Sequence, residues 1–171
     1  MKNIKAVLFW VIVIAAGLGT YQYAMFQGAQ ARAQSATAQN AAASRRVVNP
    51  PGITPLVPAY SVGIRDGDMV YVSGMVGVKP GSQDIVDGGV GPQTRQTLEN
   101  IRTTLVAAGA TMADVGECTV FLVDMADYAA MNSVYIEFFR VDPPARATLA
   151  VAALPRPAAR VEIKCSARIR R

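Results

Sequence analysis

Two charged residues near the C-terminal end, Arg146 and Glu162, are carried into an otherwise apolar neighbourhood, the place where a small-molecule site is expected. Arg146 follows Pro143-Pro144-Ala145 and opens the apolar run Ala147 to Ala153. The prolines fix φ and remove two backbone donors, so the arginine arrives on a rigid, extended lead-in. A guanidinium at the mouth of such a run needs an anion, and its planar fork matches a carboxylate through two parallel hydrogen bonds. That anion is either an acid of the chain itself or the carboxylate of a ligand, and this residue alone fits both. Glu162 lies in a run with Val161, Ile163 and Cys165 on one side and Glu162, Lys164 and Ser166 on the other, the alternation of a half-buried strand. It reads either as a solvated acid paired with Lys164 or a cross-strand neighbour, or as a carboxylate delivered to a pocket.

Other chemistries drop out. The chain of 171 residues has no histidine, which removes Ser-His-Asp hydrolysis, Cys-His proteolysis and the common histidine zinc sites. Cys118 and Cys165 lack metal-site spacing. They form one disulfide if the chain is exported and their strands are neighbours, or remain two buried thiols, and the sequence leaves both open. Gly88-Gly89-Val90-Gly91 lacks the strand, Lys and Ser/Thr context of a phosphate loop. No metal and no cofactor is expected.

The elements that must position Arg146 and Glu162 follow from periodicity. Tyr60 to Ile64 and Met69 to Val76 are strand-like, split by Arg65-Asp66-Gly67-Asp68 with its Asp-Gly hairpin signal. Lys79 to Gly91 reads as a loop. From Pro92, Leu98, Ile101, Leu105 and Ala108 form a helical stripe that Gly109 ends. Gly116 to Val123 is the next strand. Asp127 is placed to cap a second helix reaching to about Phe139, with Met131, Tyr135 and Phe138 on one face as core, before Pro143-Pro144 stops it. Two final strand-like runs, one opened by Arg146 and one from Arg160 to Ala167, are expected to meet across the turn at Leu154 to Pro157. The order β-β-α-β-α-β-β predicts an α/β domain, one mixed sheet with two helices packed on one face. The uncovered face needs a partner.

The N-terminal part is of another kind. Lys2 and Lys5 precede an apolar stretch from Ala6 to Phe26, long enough to cross a bilayer, which reads as a signal anchor or signal peptide over residues 1–26. The small-x-small sites Ala29-Gln30-Ala31 and Ala31-Arg32-Ala33 lie well beyond the compact apolar part ending near Gly19, which favours an uncleaved anchor. The expected location is membrane-anchored or secreted, with the body on the periplasmic or extracytoplasmic side. Residues 27–47 are rich in Ala, Gln and Ser and read as a flexible tether, with the folded domain at 48–171. All 12 acidic residues and 12 of the 17 basic ones lie in that domain, so it is neutral and the net +5 belongs to the N-terminal part. A neutral body is a poor nucleic-acid binder, and none is expected as a partner.

The motifs around the two charged residues resemble those of the YjgF/RidA family of reactive enamine/imine deaminases. Pro143-Pro144-Ala145-Arg146-Ala147-Thr148, Leu154-Pro155 and Val161-Glu162-Ile163 carry the resemblance. So do Tyr60-Ser61, Val72-Ser73-Gly74, Gln93 to Asn100, Thr119 to Leu122 and Met131 to Tyr135, in order over roughly residues 48 to 169. The resemblance implies a chorismate-mutase-like fold, a homotrimer with ligand sites between subunits, and hydrolysis of 2-imino or enamine acids to 2-oxo acids and ammonia.

It also implies site roles. Arg146 would bind the substrate carboxylate and Glu162 would handle the attacking water and its proton. Tyr60, Ser73, Asn132 and Thr148 would supply hydroxyl and amide contacts, and Gly74 would let the backbone approach the ligand. Thr148 stands where the family often has Cys. Against the family pattern one residue is added in the loop Arg156 to Arg160, and the membrane-targeting segment departs from a family whose usual substrates are cytoplasmic. A non-catalytic small-carboxylate-binding module in the cell envelope is the alternative. The ribonuclease or translation-inhibitor role attached to some relatives fits the neutral body poorly.

Overall fold

The beat of Leu98, Ile101 and Leu105 produces the helix that organises the body. It is α1, Val90–Ala108, ended by Gly109 in the left-handed conformation at φ 86. The start falls two residues earlier than Pro92, because proline is accommodated in a first helical turn where no N–H is needed. The computed structural model describes residues 22–37 and 44–170, and the chain divides into two units, Met1–Ala43 and Ser44–Arg171. In the first unit residues 22–37 are helical and exposed. Most of the expected membrane segment lies outside the described residues, and no described helix is long and apolar enough to cross a membrane.

The second unit is a six-stranded sheet in the order β1-β2-β3-β6-β4-β5. Its strands are β1 Arg45–Val48, β2 Gly63–Asp66, β3 Met69–Val76, β4 Val115–Leu122, β5 Ala145–Ala150 and β6 Val161–Arg168. Only β4 and β5 pair in parallel; the other neighbours are antiparallel. The second helix, α2, spans Tyr128–Phe138. Leu98, Ile101 and Leu105 of α1 and Met131 of α2 are fully buried, as are Val70, Val120, Val161 and Ile163 of the sheet, and together they form the core. Both helices cover one face, as the α/β expectation required.

Four expectations change. Arg45, Arg46 and Val47, read as the end of the tether, belong to β1, and Arg46 donates to the Ala108 carbonyl at 3.1 Å. Arg65 donates to the same carbonyl at 2.9 Å, so two guanidinium groups satisfy the carboxyl end of α1. Tyr60 precedes β2 instead of opening it, because the strand continues to Asp66 and the turn is carried by Gly67 at φ 58 and Asp68. The Asp127 carboxylate does not cap α2; it accepts from Arg160 Nε at 2.7 Å, and Asp124 caps the preceding short turn instead. Finally, β5 and β6 do not pair, because β4 lies between them.

Cys118 and Cys165 are opposed on β4 and β6, both buried, and joined by a disulfide. Of the two readings open in sequence, the structure takes the paired one.

Candidate functional site

Strand alternation separates the two charged residues. Arg146 is in register with Cys118, which is in register with Cys165, and this row faces the helices. Glu162 is in register with Phe121, which pairs with Leu149, and this row faces the other way. Within one copy of the chain, Arg146 and Glu162 therefore project from opposite faces of the sheet. The sequence expectation that both enter one neighbourhood does not hold inside a single chain.

The Arg146 side is built on α2. Its Nη1 donates to Asn132 Oδ1 at 2.9 Å and its Nη2 to the Tyr128 hydroxyl at 3.1 Å. The guanidinium carbon lies 4.6 Å from the Tyr135 ring centroid and 5.8 Å from that of Tyr128. None of the described ion pairs includes Arg146. The fork is thus aimed by neutral groups while its charge stays unmatched. The Tyr135 hydroxyl is buried without a partner among the described residues, and burial pushes its pKa up to about 12 against the opposing pull of Arg146. Thr148, two residues along the same face of β5, also has a buried hydroxyl without a partner. Tyr128, Asn132 and Tyr135 stand at helical spacing i, i+4, i+7, and that stripe was the available signal for the two tyrosines, which sequence reasoning took as core or passed over.

The Glu162 side is a cavity of ≈ 800 Å³ lined by Tyr60, Ser73, Gly74 and Glu162 among others. Gln93 of α1 fixes the approach to β6 by donating to Ala158 O at 3.0 Å and accepting from Arg160 N at 2.7 Å. Burial pushes the Glu162 carboxyl above the usual carboxylate range. A Cβ at Gly74 would overlap that carboxyl, so this glycine makes room for Glu162 rather than for an approaching ligand. Ser73 Oγ donates to Ser61 O at 2.7 Å, which pins the loop carrying Tyr60. The Tyr60 hydroxyl accepts from Leu56 N at 2.9 Å. The structure thus gathers Tyr60, Ser73, Gly74 and Glu162 in one half-site and Arg146, Asn132 and Thr148 in another. Among the described residues no cluster of potential metal ligands occurs.

A one-sided sheet with an arginine on one face and a half-buried carboxyl on the other defines an α/β protein of the YjgF fold. The chain belongs to the YjgF/RidA family: residues 54–169 match the family model described as Endoribonuclease L-PSP. It is 38% identical over 123 residues to the mouse 2-iminobutanoate/2-iminopropanoate deaminase, covering 72% of this chain and 90% of that protein. A RutC family protein of Sulfurisphaera tokodaii is 44% identical over 102 residues, 60% of this chain and 82% of that one. Among solved structures, RidA from an Antarctic Psychrobacter matches with a TM-score of 0.68 and 33% identity, over 72% of this chain and 99% of its own. The E. coli YjgF gene product matches with a TM-score of 0.66 and 31% identity, over 73% and 99%.

Proposed function

We propose that this protein hydrolyses reactive 2-imino or enamine acids to 2-oxo acids and ammonia, at sites that Arg146 of one copy and Glu162 of another complete together in a homotrimer. The observation that carries this is the Arg146 fork, positioned by Asn132 and Tyr128 but matched by no carboxylate among the described residues. A substrate carboxylate supplies the missing charge.

With the acid held by Arg146, the iminium carbon faces a water on Glu162. The ionised Glu162 accepts a proton as the water oxygen bonds to that carbon, giving a tetrahedral amino alcohol. The same proton then goes to the nitrogen. The C–N bond breaks and ammonia leaves while Glu162, ionised again, takes the hydroxyl proton and passes it to the departing ammonia, and the oxygen becomes the 2-oxo group. A carboxyl with an elevated pKa suits both steps, since it takes and returns a proton more evenly near neutral pH than an ordinary carboxylate. Thr148 and Tyr135 offer unpaired hydroxyl groups beside the arginine.

The ribonuclease role in the family description finds less support. The Ser44–Arg171 unit carries 14 basic against 12 acidic side chains, without the strong excess that phosphate binding calls for. The proposed location of the body remains extracytoplasmic. Its supports are the basic-then-apolar N-terminal sequence and the buried Cys118–Cys165 disulfide, a bond that persists mainly in oxidising compartments. Protein trapped from cells by rapid acid quench and alkylation should show both thiols blocked; free thiols would count against export.

The function is tested with the full-length protein and a freshly generated 2-imino acid. Accelerated ammonia release, lost in Arg146→Met, is the expected result. Binding of 2-oxo acids without turnover would instead leave a binding module.

A further inference from the structure

The cavity holding Glu162 contains another charge that deamination does not use. Arg156, in the loop between β5 and β6, lines that cavity with Glu162, Ser73 and Tyr60. Its Nη2 donates to Gln83 O at 2.9 Å and to Gln83 Oε1 at 2.6 Å. Its Nε is buried and has no hydrogen-bond partner among the described residues. None of the described ion pairs includes it, whereas Lys79, the other cation of the lining, has Asp87 at 3.7 Å. Gln83 in turn donates to Thr54 Oγ1 at 3.4 Å, so the guanidinium is held between loops by neutral oxygens.

A buried donor with no acceptor is costly, and native structures rarely keep one without a purpose. Glu162 is the single carboxylate of the lining. It cannot serve as partner to Arg156 and remain free to move a proton. With Lys79 matched by Asp87, Arg156 is the cation of the lining left without an acid, and it suits an occupant that brings a negative charge of its own. Ile53, Leu56 and Val57 add apolar walls, suited to the methylene groups that separate two acid functions.

We propose that Arg156 is a specificity-determining residue that binds a second carboxylate of the substrate, so that the preferred substrates are 2-imino diacids of the 2-iminosuccinate or 2-iminoglutarate kind. This rests on the imine-deaminase reading: Arg146 of a neighbouring copy takes the carboxylate next to the imine, and Arg156 takes the one at the far end of the side chain. A monoacid with an alkyl side chain leaves Nε unpaired and gains nothing from the guanidinium.

The test compares 2-iminoglutarate with 2-iminobutanoate, each generated in situ by an amino-acid oxidase, on the full-length parent, Arg156→Gln and Arg156→Lys. The parent should favour the diacid in kcat/KM by about tenfold or more. Arg156→Gln should cut that ratio by about tenfold to a hundredfold, mainly through KM, as expected when a charged hydrogen bond made equally in ground and transition states is lost. Arg156→Lys should keep part of the preference, since the charge survives without the fork. A parent ratio of one or less, or a ratio unchanged in Arg156→Gln, overturns the proposal. If the parent turns over neither substrate, the deaminase reading is what has failed. Calorimetric titration with 2-oxoglutarate and 2-oxobutanoate then decides the recognition on its own: a diacid preference that Arg156→Gln abolishes supports it, and equal affinities overturn it.

Discussion

The two half-sites lie on opposite faces of one sheet and are held by opposite means. Arg146 is fully directed by hydrogen bonds and ring contacts, yet its charge is unanswered. Glu162 has no such hydrogen bond among the described residues: burial raises its pKa, and it lies against Gly74, where a side chain would overlap it. The first arrangement suits a ground-state anion, which needs a fixed fork. The second suits proton transfer, which needs a poised pKa and room to move. Because strand alternation keeps the two apart in one chain, the proposed reaction draws them from two copies.

The strongest way to break this contrast is to separate the halves by mutation and recombine them. Arg146→Met should lower kcat/KM by about 10³-fold, taking two charge-assisted hydrogen bonds at about 2 kcal/mol each. Glu162→Gln should lower kcat by about 10²- to 10³-fold. Co-assembled from equal amounts, the two inactive variants should recover activity at roughly a quarter of the sites, the random fraction pairing an intact arginine with an intact glutamate from a neighbour. No recovery in mixed assemblies, verified by native mass spectrometry, would show that each chain must supply both groups.

The pH dependence sharpens the Glu162 side. Its folded pKa is raised, so activity that needs the ionised form should fall on acidification through a value above the ordinary glutamate range of about 4.3. Stability has the opposite sign. The folded state binds the Glu162 proton more tightly than the unfolded chain, so this contribution is present below the unfolded pKa and is lost as pH rises through the folded one. Both the acidic limb of the rate profile and that part of the stability slope should vanish in Glu162→Gln. Gly74→Ala displaces the same carboxyl sterically and should cost about tenfold in kcat and about 1–3 kcal/mol in stability, read by rate and by urea titration.

How far the sequence carried depended on the range of the interaction. The helix of Leu98, Ile101 and Leu105 was legible because its period and its glycine stop are local. The chemistry of Arg146 was legible through Pro143-Pro144-Ala145 and the family motifs around it. Asp127 misled because a side chain suited to a helix cap was claimed by Arg160, 33 residues away. β1 was hidden because Arg45 and Arg46 blend with an Ala/Gln-rich stretch, while their pairing partners lie at Arg65 and Asp66. The division of the site was hidden for the same kind of reason. Inserting β4 between β5 and β6 is a long-range choice, and the facing of Arg146 depends on its parallel register with Cys118.

The smallest effect probes how the fork is aimed. Tyr128→Phe keeps the ring near the guanidinium at 5.8 Å but deletes the hydroxyl that accepts from Nη2 at 3.1 Å. Because that bond is partly exposed and neutral on one side, its loss is worth about 0.5–1.5 kcal/mol, or about two- to tenfold. If Tyr128 orients Arg146 for a bound acid, the loss should appear in KM, with kcat and the acidic limb set by Glu162 unchanged. Asn132→Ala, which frees the other terminal nitrogen, should act in the same direction and combine with Tyr128→Phe less than additively, since both act through one guanidinium. An equal fall in kcat for Tyr128→Phe would mean that its hydroxyl touches the reacting atoms, and the two half-sites would then share the proton chemistry instead of dividing it.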